Sequence, residues 1–461
     1  MARLRALHLR RGDTGPSSVM IGSVSELPRT SSRRAARLAG LPLGIAGRAA
    51  GSLGRRALGR SDGVLTEELA DQAAEQVFAV LGELKGGAMK VGQALSVFEA
   101  GMPDKYAGPF REALTKLQAE APPLPPAEVE RVLDAQLGLR WRERFAEFNT
   151  SAAAAASIGQ VHRAVWADGR EVAVKVQYPG ADEALRSDLR QLRRLAPLLR
   201  PLTPGTDVKG VIDELYDSAV AELDYRGEAD TQRVFASAFR DDPQIHVPAV
   251  LASAPKVLVT EWAEGRTLGR IAAGGTQDER NRAGELLTEF QFCSPTRARM
   301  MHGDPHPGNF LLADDGRMVV LDFGAALPLP EGMPAALTSM MRLALAGQAE
   351  ELVALLARSG YVGRGGVDPA DAMSFLDPFI EPMRTDEFHF DRKWLQGIMA
   401  AYGDVSGREF RTSRSFTLPR DYVLIHRVLS ASVGMLCQLE ATAPYREIVH
   451  RWMPEIFPDE E

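Results

Sequence analysis

The chain has 461 residues, of which 45% are hydrophobic and 25% charged, enough for two or three domain-sized units with large apolar cores. Its two cysteines, Cys293 and Cys437, exclude a disulfide framework and point to a reducing compartment, and no uncharged apolar run reaches the roughly 18 residues of a spanning helix. The net charge of −7 conceals an asymmetry: residues 1–60 hold twelve Arg and no Lys against Asp13 and Glu26, so this segment carries +10 and the remainder −17.

Residues 1–62 read as a basic, flexible segment. Over 31–60, Leu41, Leu43, Ile45, Leu53 and Leu58 lie between the charges, a basic amphipathic pattern attracted to an anionic bilayer surface; a basic tail with no specific partner is the bland alternative. The stretch lacks aromatic stacking groups and the body is acidic, which argues against a nucleic-acid partner. Arg and Gly break every apolar run, so it does not read as a secretory signal. Residues 63–126 read as a helical extension. Phe78, Leu81, Leu84 and Ala88 recur at helical spacing, with Val91, Leu95 and Phe98 on a similar face. Lys90, Gly92 and Gln93 lie within it, where Lys90 and Gln93 taken alone are a solvated pair on one helix face. A second helical stretch, 107–117, ends at the proline-rich connector 121–126.

A new unit, 127–265, begins with a helix predicted over 127–137. The run Ala153, Ala154, Ala155, Ala156, Ser157 precedes a turn at Asp168-Gly169 and a β-branched strand, 171–176, that carries Lys175. This is the order of a kinase N-lobe: strand, phosphate-covering loop, strand, turn, lysine-bearing strand. An ordinary kinase loop reads Gly-x-Gly-x-x-Gly, whereas alanine fills this one and only Gly159 remains. Alanines still offer N–H groups to phosphate, but their Cβ atoms restrict positive φ, so a stiffer loop is predicted. The pattern over 211–231 predicts one helix bearing Glu222, Asp224 and Glu228. Glu228 is the candidate partner of Lys175, with Glu222 and Asp224 as further active-site carboxylates. The strand over 257–262 would lead into an adenine-binding hinge at Glu261 and Trp262, whose backbone groups would meet the base edge.

The last unit, 266–461, reads as mostly helical. A helix over 285–292 leads to His302-Gly-Asp-Pro-His-Pro-Gly-Asn309, and a hairpin pattern (310–312, turn at 314–316, 318–321) delivers Asp322-Phe323-Gly324. Asp304 is placed to orient or deprotonate an acceptor, while Asn309 and Asp322 are placed to hold Mg²⁺ at nucleotide phosphates. A helical pattern resumes at 335–346 with no long activation segment and no Ala-Pro-Glu, so a peptide-docking platform is not expected. Helices follow over 352–356, 373–380, 394–402 and 422–439; the last contains His426 and Arg427 and reads as buried rather than membrane-spanning. His162, His389, His426 and His450 read as structural, and His302 and His306 as braces of their loop.

The combination of Lys90-x-Gly92-Gln93, the alanine run before Lys175, Glu222-x-Asp224-Tyr225 with Glu228, Asp304 with Asn309, and Asp322-Phe-Gly resembles the UbiB/AarF family of atypical kinase-like proteins. The resemblance implies an α+β, two-lobed protein-kinase-like fold with a mostly helical C-lobe, in which the extension carrying Lys90, Gly92 and Gln93 packs over the active site. It implies catalytic roles for Asp304, Lys175 and Glu228, metal binding by Asn309 and Asp322, and ATP or ADP with Mg²⁺ as cofactors. It further implies an ATPase or phosphotransferase linked to isoprenoid quinone or other lipid metabolism, cytoplasmic and peripheral at the inner face of the membrane. A small-molecule kinase of the aminoglycoside or choline kind and a nucleotide-switched scaffold are the alternative functions. The acceptor, the quinone and the oligomeric state stay open.

Overall fold

The computed structural model describes residues 123–156, 158–183, 185–186, 220, 223–363, 365–403 and 407–457. The basic N-terminal segment, residues 63–122 of the helical extension with Lys90, Gly92 and Gln93, and Ser157 and Glu222 lie outside the described residues.

Helix α1 (Pro126–Leu137) starts with a proline in its first turn, where the missing N–H is harmless, and buries Val129, Val132 and Leu133. A sheet follows, made of β1 (Phe145–Phe148), β2 (Ala154–Ala156), β3 (Gly159–Trp166), β4 (Glu171–Gln177), β6 (Val250–Ala254) and β7 (Val257–Glu261). Its order is β1-β3-β4-β7-β6, with β2 paired to β3, and every pairing is antiparallel. Val172, Val174 and Val176 are fully buried against α1 and Trp141, so strand alternation turns Lys175 to the opposite face.

The helix predicted over 211–231 is placed differently. The chain turns at Leu223, and Asp224 caps a helix α2 (Tyr225–Ala238) by accepting the Arg226 N–H at 3.0 Å. A carboxylate that takes a free N–H of a helix's first turn competes well against continuing a helix through it, which is why the boundary falls there. Glu228 therefore lies in the first turn of α2, and the helix runs seven residues past the predicted end.

The second lobe holds β5 (Ile245–His246), β8 (Arg266–Thr267), β10 (Phe310–Leu312) and β11 (Met318–Val320) in a four-stranded sheet of order β5-β11-β10-β8, and a small pair of β9 (Met300–His302) with β12 (Ala326–Pro328). After α3 (Leu268–Gly274), helix α4 (Gln277–Arg297) opens with a Thr276–Glu279 capping box and has the predicted 285–292 stretch as its buried centre. Further helices follow: α5 (Ala335–Leu345), α6 (Ala349–Arg358), α7 (Pro369–Ile380), α8 (Arg392–Gly403), α9 (Arg408–Ser413), α10 (Val423–Leu439) and α11 (Tyr445–Trp452). Only β12 intervenes between β11 and α5, so no long activation segment is present. Helix α10 buries Ile425, Val428, Met435, Leu436 and Leu439 in the protein, and among the described residues no helix is long and apolar enough to cross a membrane.

The mixed helix and sheet arrangement is kinase-like, and α2 belongs to both lobes. Its Phe235 is fully buried with Phe323 at 4.9 Å and Phe290 at 5.9 Å between ring centroids, in the core of the second lobe. Replacing Phe235 by Ala should lower stability by about 3–5 kcal/mol. Denaturant unfolding would check this, and a loss under about 1 kcal/mol would mean that the ring stack does not carry the junction.

Candidate active site

The face of β4 opposite the valines carries Lys175, a cation buried among carboxylates. Lys175 Nζ donates to Glu228 Oε1 at 2.8 Å and Oε2 at 2.9 Å, and to Asp322 Oδ2 at 3.3 Å, with the Tyr225 ring centroid 4.9 Å away. Burial disfavours the charged amine, but Asp322 and Glu228 outweigh it, so the Lys175 pKa is raised well above the ordinary range. The amine is a fixed cation.

Asp322 follows the β10–β11 hairpin in the left-handed region at φ 56°, a conformation that costs a non-glycine residue energy and persists only where the surroundings impose it. Here its carbonyl accepts from His302 Nε2 at 2.8 Å, its Oδ1 accepts the Gly324 N–H at 3.1 Å, and Phe323 packs edge-on to His302 at 5.4 Å. Because a carbonyl only accepts, His302 carries its proton on Nε2, and burial pushes its pKa down despite Asp304 and Asp322 nearby, so the imidazole is neutral. His302 acts as a brace.

The stretch from Asp304 to Asn309 is a tight turn. His306 N–H donates to the Asp304 carbonyl at 2.7 Å, and Asn309 N–H to the His306 carbonyl at 2.9 Å. Asn309 Nδ2 donates to both the Asp304 carbonyl and Oδ2 at 3.1 Å, which leaves Oδ1 as the remaining acceptor of the amide. The Leu321 N–H donates to the Asn309 carbonyl at 2.7 Å, so Asn309 sits across the hairpin from the residue that precedes Asp322. An amide oxygen just before one hairpin strand and a carboxylate just after the other suit a hard cation. Among the described residues no group of three or more His, Cys, Asp or Glu could hold a metal ion, so a cation here would complete its shell with phosphate and water, as Mg²⁺ does.

The alanine run is a strand rather than a loose loop. Ala154, Ala155 and Ala156 pair with Val161, Gln160 and Gly159, and the Ala153 N–H donates to the Val161 carbonyl at 2.8 Å. Gly159 has a packing role: a Cβ there would lie 2.3 Å from the Val176 carbonyl oxygen, so close approach of β3 to β4 demands it. At the expected hinge, the Glu261 N–H is spent on the Ala249 carbonyl and the Trp262 N–H on the Glu171 carbonyl. Neither donor is free for a base edge. Asp224 is engaged by Arg226, whose guanidinium holds its pKa below the usual carboxylate range. The structure thus brings together Lys175, Glu228 and Asp322, and Asp304 with Asn309, while Asp224 serves as a helix cap.

Sequence reasoning missed a buried relay. The Leu124 N–H donates to Gln160 Oε1 at 2.7 Å, Gln160 Nε2 contacts His162 Nε2 at 2.8 Å, and His162 Nδ1 contacts the Asn149 carbonyl at 2.9 Å. Two polar residues at i and i+2 on a strand share a face, and that spacing was the available signal. The chain works with Nδ1 as donor and Nε2 as acceptor, and burial pushes the His162 pKa down accordingly.

The family description "ABC1 atypical kinase-like domain" matches residues 116–356. The chain is 32% identical to the rat atypical kinase COQ8B, mitochondrial, over 65% of this chain and 57% of that one, and 35% identical to the protein slr1919 of Synechocystis over 57% and 46%. It is also 32% identical to the atypical kinase COQ8, mitochondrial, of Schizosaccharomyces pombe over 69% and 52%. The chain spans about half the length of these curated relatives. A solved structure of Rv3197 from Mycobacterium tuberculosis, described as a complex with erythromycin, is similar at a TM-score of 0.66 and 48% identity, covering 86% of this chain and 100% of that one.

Lys175→Met should lower stability by about 3–5 kcal/mol because it strands the buried Glu228 carboxylate, and adding Glu228→Gln should restore part of the loss. Urea unfolding of the two variants checks this; a double variant no more stable than Lys175→Met would refute it. His162, His246, His302 and His426 all have pKa values pushed down, chiefly by burial. Below about pH 6.5 the unfolded chain therefore binds more protons than the folded one, and stability should fall as pH falls through that point. A melting temperature that holds steady or rises from pH 7.5 to 5.5 would contradict neutral burial.

Proposed function

The chain belongs to the ABC1 atypical kinase-like family, and on that premise we propose that it binds ATP with Mg²⁺ and either hydrolyses it or transfers its terminal phosphoryl group. The observation that carries this reading is the convergence of Lys175, Glu228 and Asp322 from three separate elements, one hairpin away from Asp304 and Asn309. In it, Lys175 meets the α- and β-phosphates as a cation already held by Glu228. Asn309 Oδ1 and the Asp322 carboxylate would hold the metal, which would neutralise charge on the phosphate oxygens. Asp304, fixed by the Asn309 amide, orients the attacking hydroxyl or water. The β2–β3 hairpin covers the phosphates with a paired, stiff strand in place of a glycine loop.

The absence of a long activation segment between β11 and α5 supports a small or lipid-soluble acceptor over a peptide. The proposed setting is isoprenoid quinone or other lipid metabolism, which rests on the family resemblance. Contact with an anionic membrane surface rests on the basic pattern of residues 31–60.

The test is ADP release from Mg·ATP by the purified protein, with and without anionic liposomes, using Asp322→Asn as the blank. The expected outcome is turnover that rises with liposomes and vanishes in Asp322→Asn without a change of fold. Turnover retained in Asp322→Asn would remove that residue from the metal site. Nucleotide binding with no release above the blank would replace the enzyme reading by a nucleotide-switched scaffold.

A further inference from the structure

Helix α10 packs through Met435, Leu436 and Leu439 into the core of the second lobe, and one of its side chains reaches the catalytic stretch. Arg427 is half-buried, and its Nη2 donates to the Gly303 carbonyl at 3.3 Å. Gly303 is the residue directly before Asp304, and its other contacts are equally restrictive. Its N–H donates to the Ala325 carbonyl at 3.0 Å, and a Cβ there would meet the Ala325 carbonyl carbon and oxygen at 3.1 Å. His302, one residue earlier, is held by the Asp322 carbonyl. The contacts of His302 and the Gly303 N–H are made to the segment 322–325, so they tie the two motif loops to each other. The contact to the Gly303 carbonyl comes from elsewhere in the chain.

The helix that presents Arg427 is itself well anchored. His426 Nε2 is 2.9 Å from the Tyr361 hydroxyl, Tyr361 stacks on Tyr422 at 5.5 Å, and Ile425 and Val428 are buried in a separate core cluster. A guanidinium on such a helix is a fixed donor, and a charge-assisted bond to a carbonyl is stronger than a neutral one. The nucleotide contacts expected of Lys175 and the β2–β3 hairpin lie on the other lobe and do not run through Gly303.

We propose that Arg427 is a positioning residue for Asp304, holding the Gly303 carbonyl so that placement of the carboxylate depends on the C-terminal helical layer. The proposal rests on the reading of Asp304 as the carboxylate that orients the attacking group. Arg427 contacts the Gly303 carbonyl, so it acts through the peptide that carries Asp304. In-line transfer is sensitive to shifts of a fraction of an ångström in that carboxylate.

Arg427→Met keeps most of the stem and removes the donor, while Arg427→Lys keeps one donor and the charge. In Arg427→Met, kcat for ADP release should fall about 10- to 100-fold. Nucleotide Kd should stay within about twofold, and Arg427→Lys should recover part of kcat. Amide hydrogen exchange gives a readout independent of turnover: the His306 and Asn309 amides should exchange faster in Arg427→Met, while those of the β3–β4 pairing keep their protection. Unchanged exchange at His306 and Asn309 overturns the proposal, even if the wild type shows no turnover and the reading of the enzyme fails by itself. Unaltered kcat overturns it too, as does a loss of kcat matched by equal losses of nucleotide affinity and melting temperature, which would mark a purely structural role.

Discussion

A lysine cation buried between two carboxylates is the constraint on which the rest depends. Lys175, Glu228 and Asp322 come from a strand, a helix and the segment after a hairpin, and none of the three charges could be buried alone without a penalty of several kcal/mol. Their pairing therefore requires β4, the first turn of α2 and the end of β11 to meet at one point. Hydrophobic packing brings these elements close, but it is non-directional. The ion cluster sets their register relative to one another.

Helix α2 carries that constraint from one lobe to the other. Glu228 and Phe235 are seven residues apart, two helical turns, so they lie on similar faces at different heights. The first meets Lys175 beneath the sheet, while the second enters the aromatic cluster with Phe323, Phe290 and Phe239. Phe323 follows Asp322 directly, and His302 braces the same backbone from below. Displacement of α2 would thus disturb the lysine partner and the metal-side carboxylate together. Local strain at Asp322, with its positive φ, is sustained by this convergence.

Elements defined by short-range chemistry were legible from residue order. The β10–β11 hairpin has two apolar runs around an Asp-Asp-Gly turn, and β4 has valines alternating about Lys175; both patterns depend on the two-residue period of a strand. Asp304, Asn309 and Asp322 were legible as neighbours through their spacing across the hairpin, whereas the pairing of Lys175 with Glu228 was implied by the kinase-like resemblance. Where local signals competed, the reading slipped. Residues 211–231 show helical periodicity, but Asp224 takes an N–H of the next helix and starts it at Tyr225. Gly159 reads as a remnant of a phosphate loop, although the Val176 carbonyl opposite it is what excludes a side chain. The backbone groups of Glu261 and Trp262 read in sequence as a hinge for a base edge, and in the structure their N–H groups donate to the Ala249 and Glu171 carbonyls.

Composition and order by themselves determined the family, the kinase-like succession of elements and the set of ionisable groups, because these follow from motif spacing and from periodicities that a chain carries locally. Tertiary structure alone decided which of those groups are engaged and by what. Asp224 went to a helix cap, His302 to a neutral brace, Gln160 and His162 to a buried relay, and Arg427 to the backbone beside Asp304. Each of those partners lies across a sheet, a turn or a layer from the residue it engages, or wins a donor from a rival conformation. The reason is that a hydrogen bond or ion pair is specified by distance and direction in space, and residues 124 positions apart carry no mark in the sequence of having been brought within 3.3 Å.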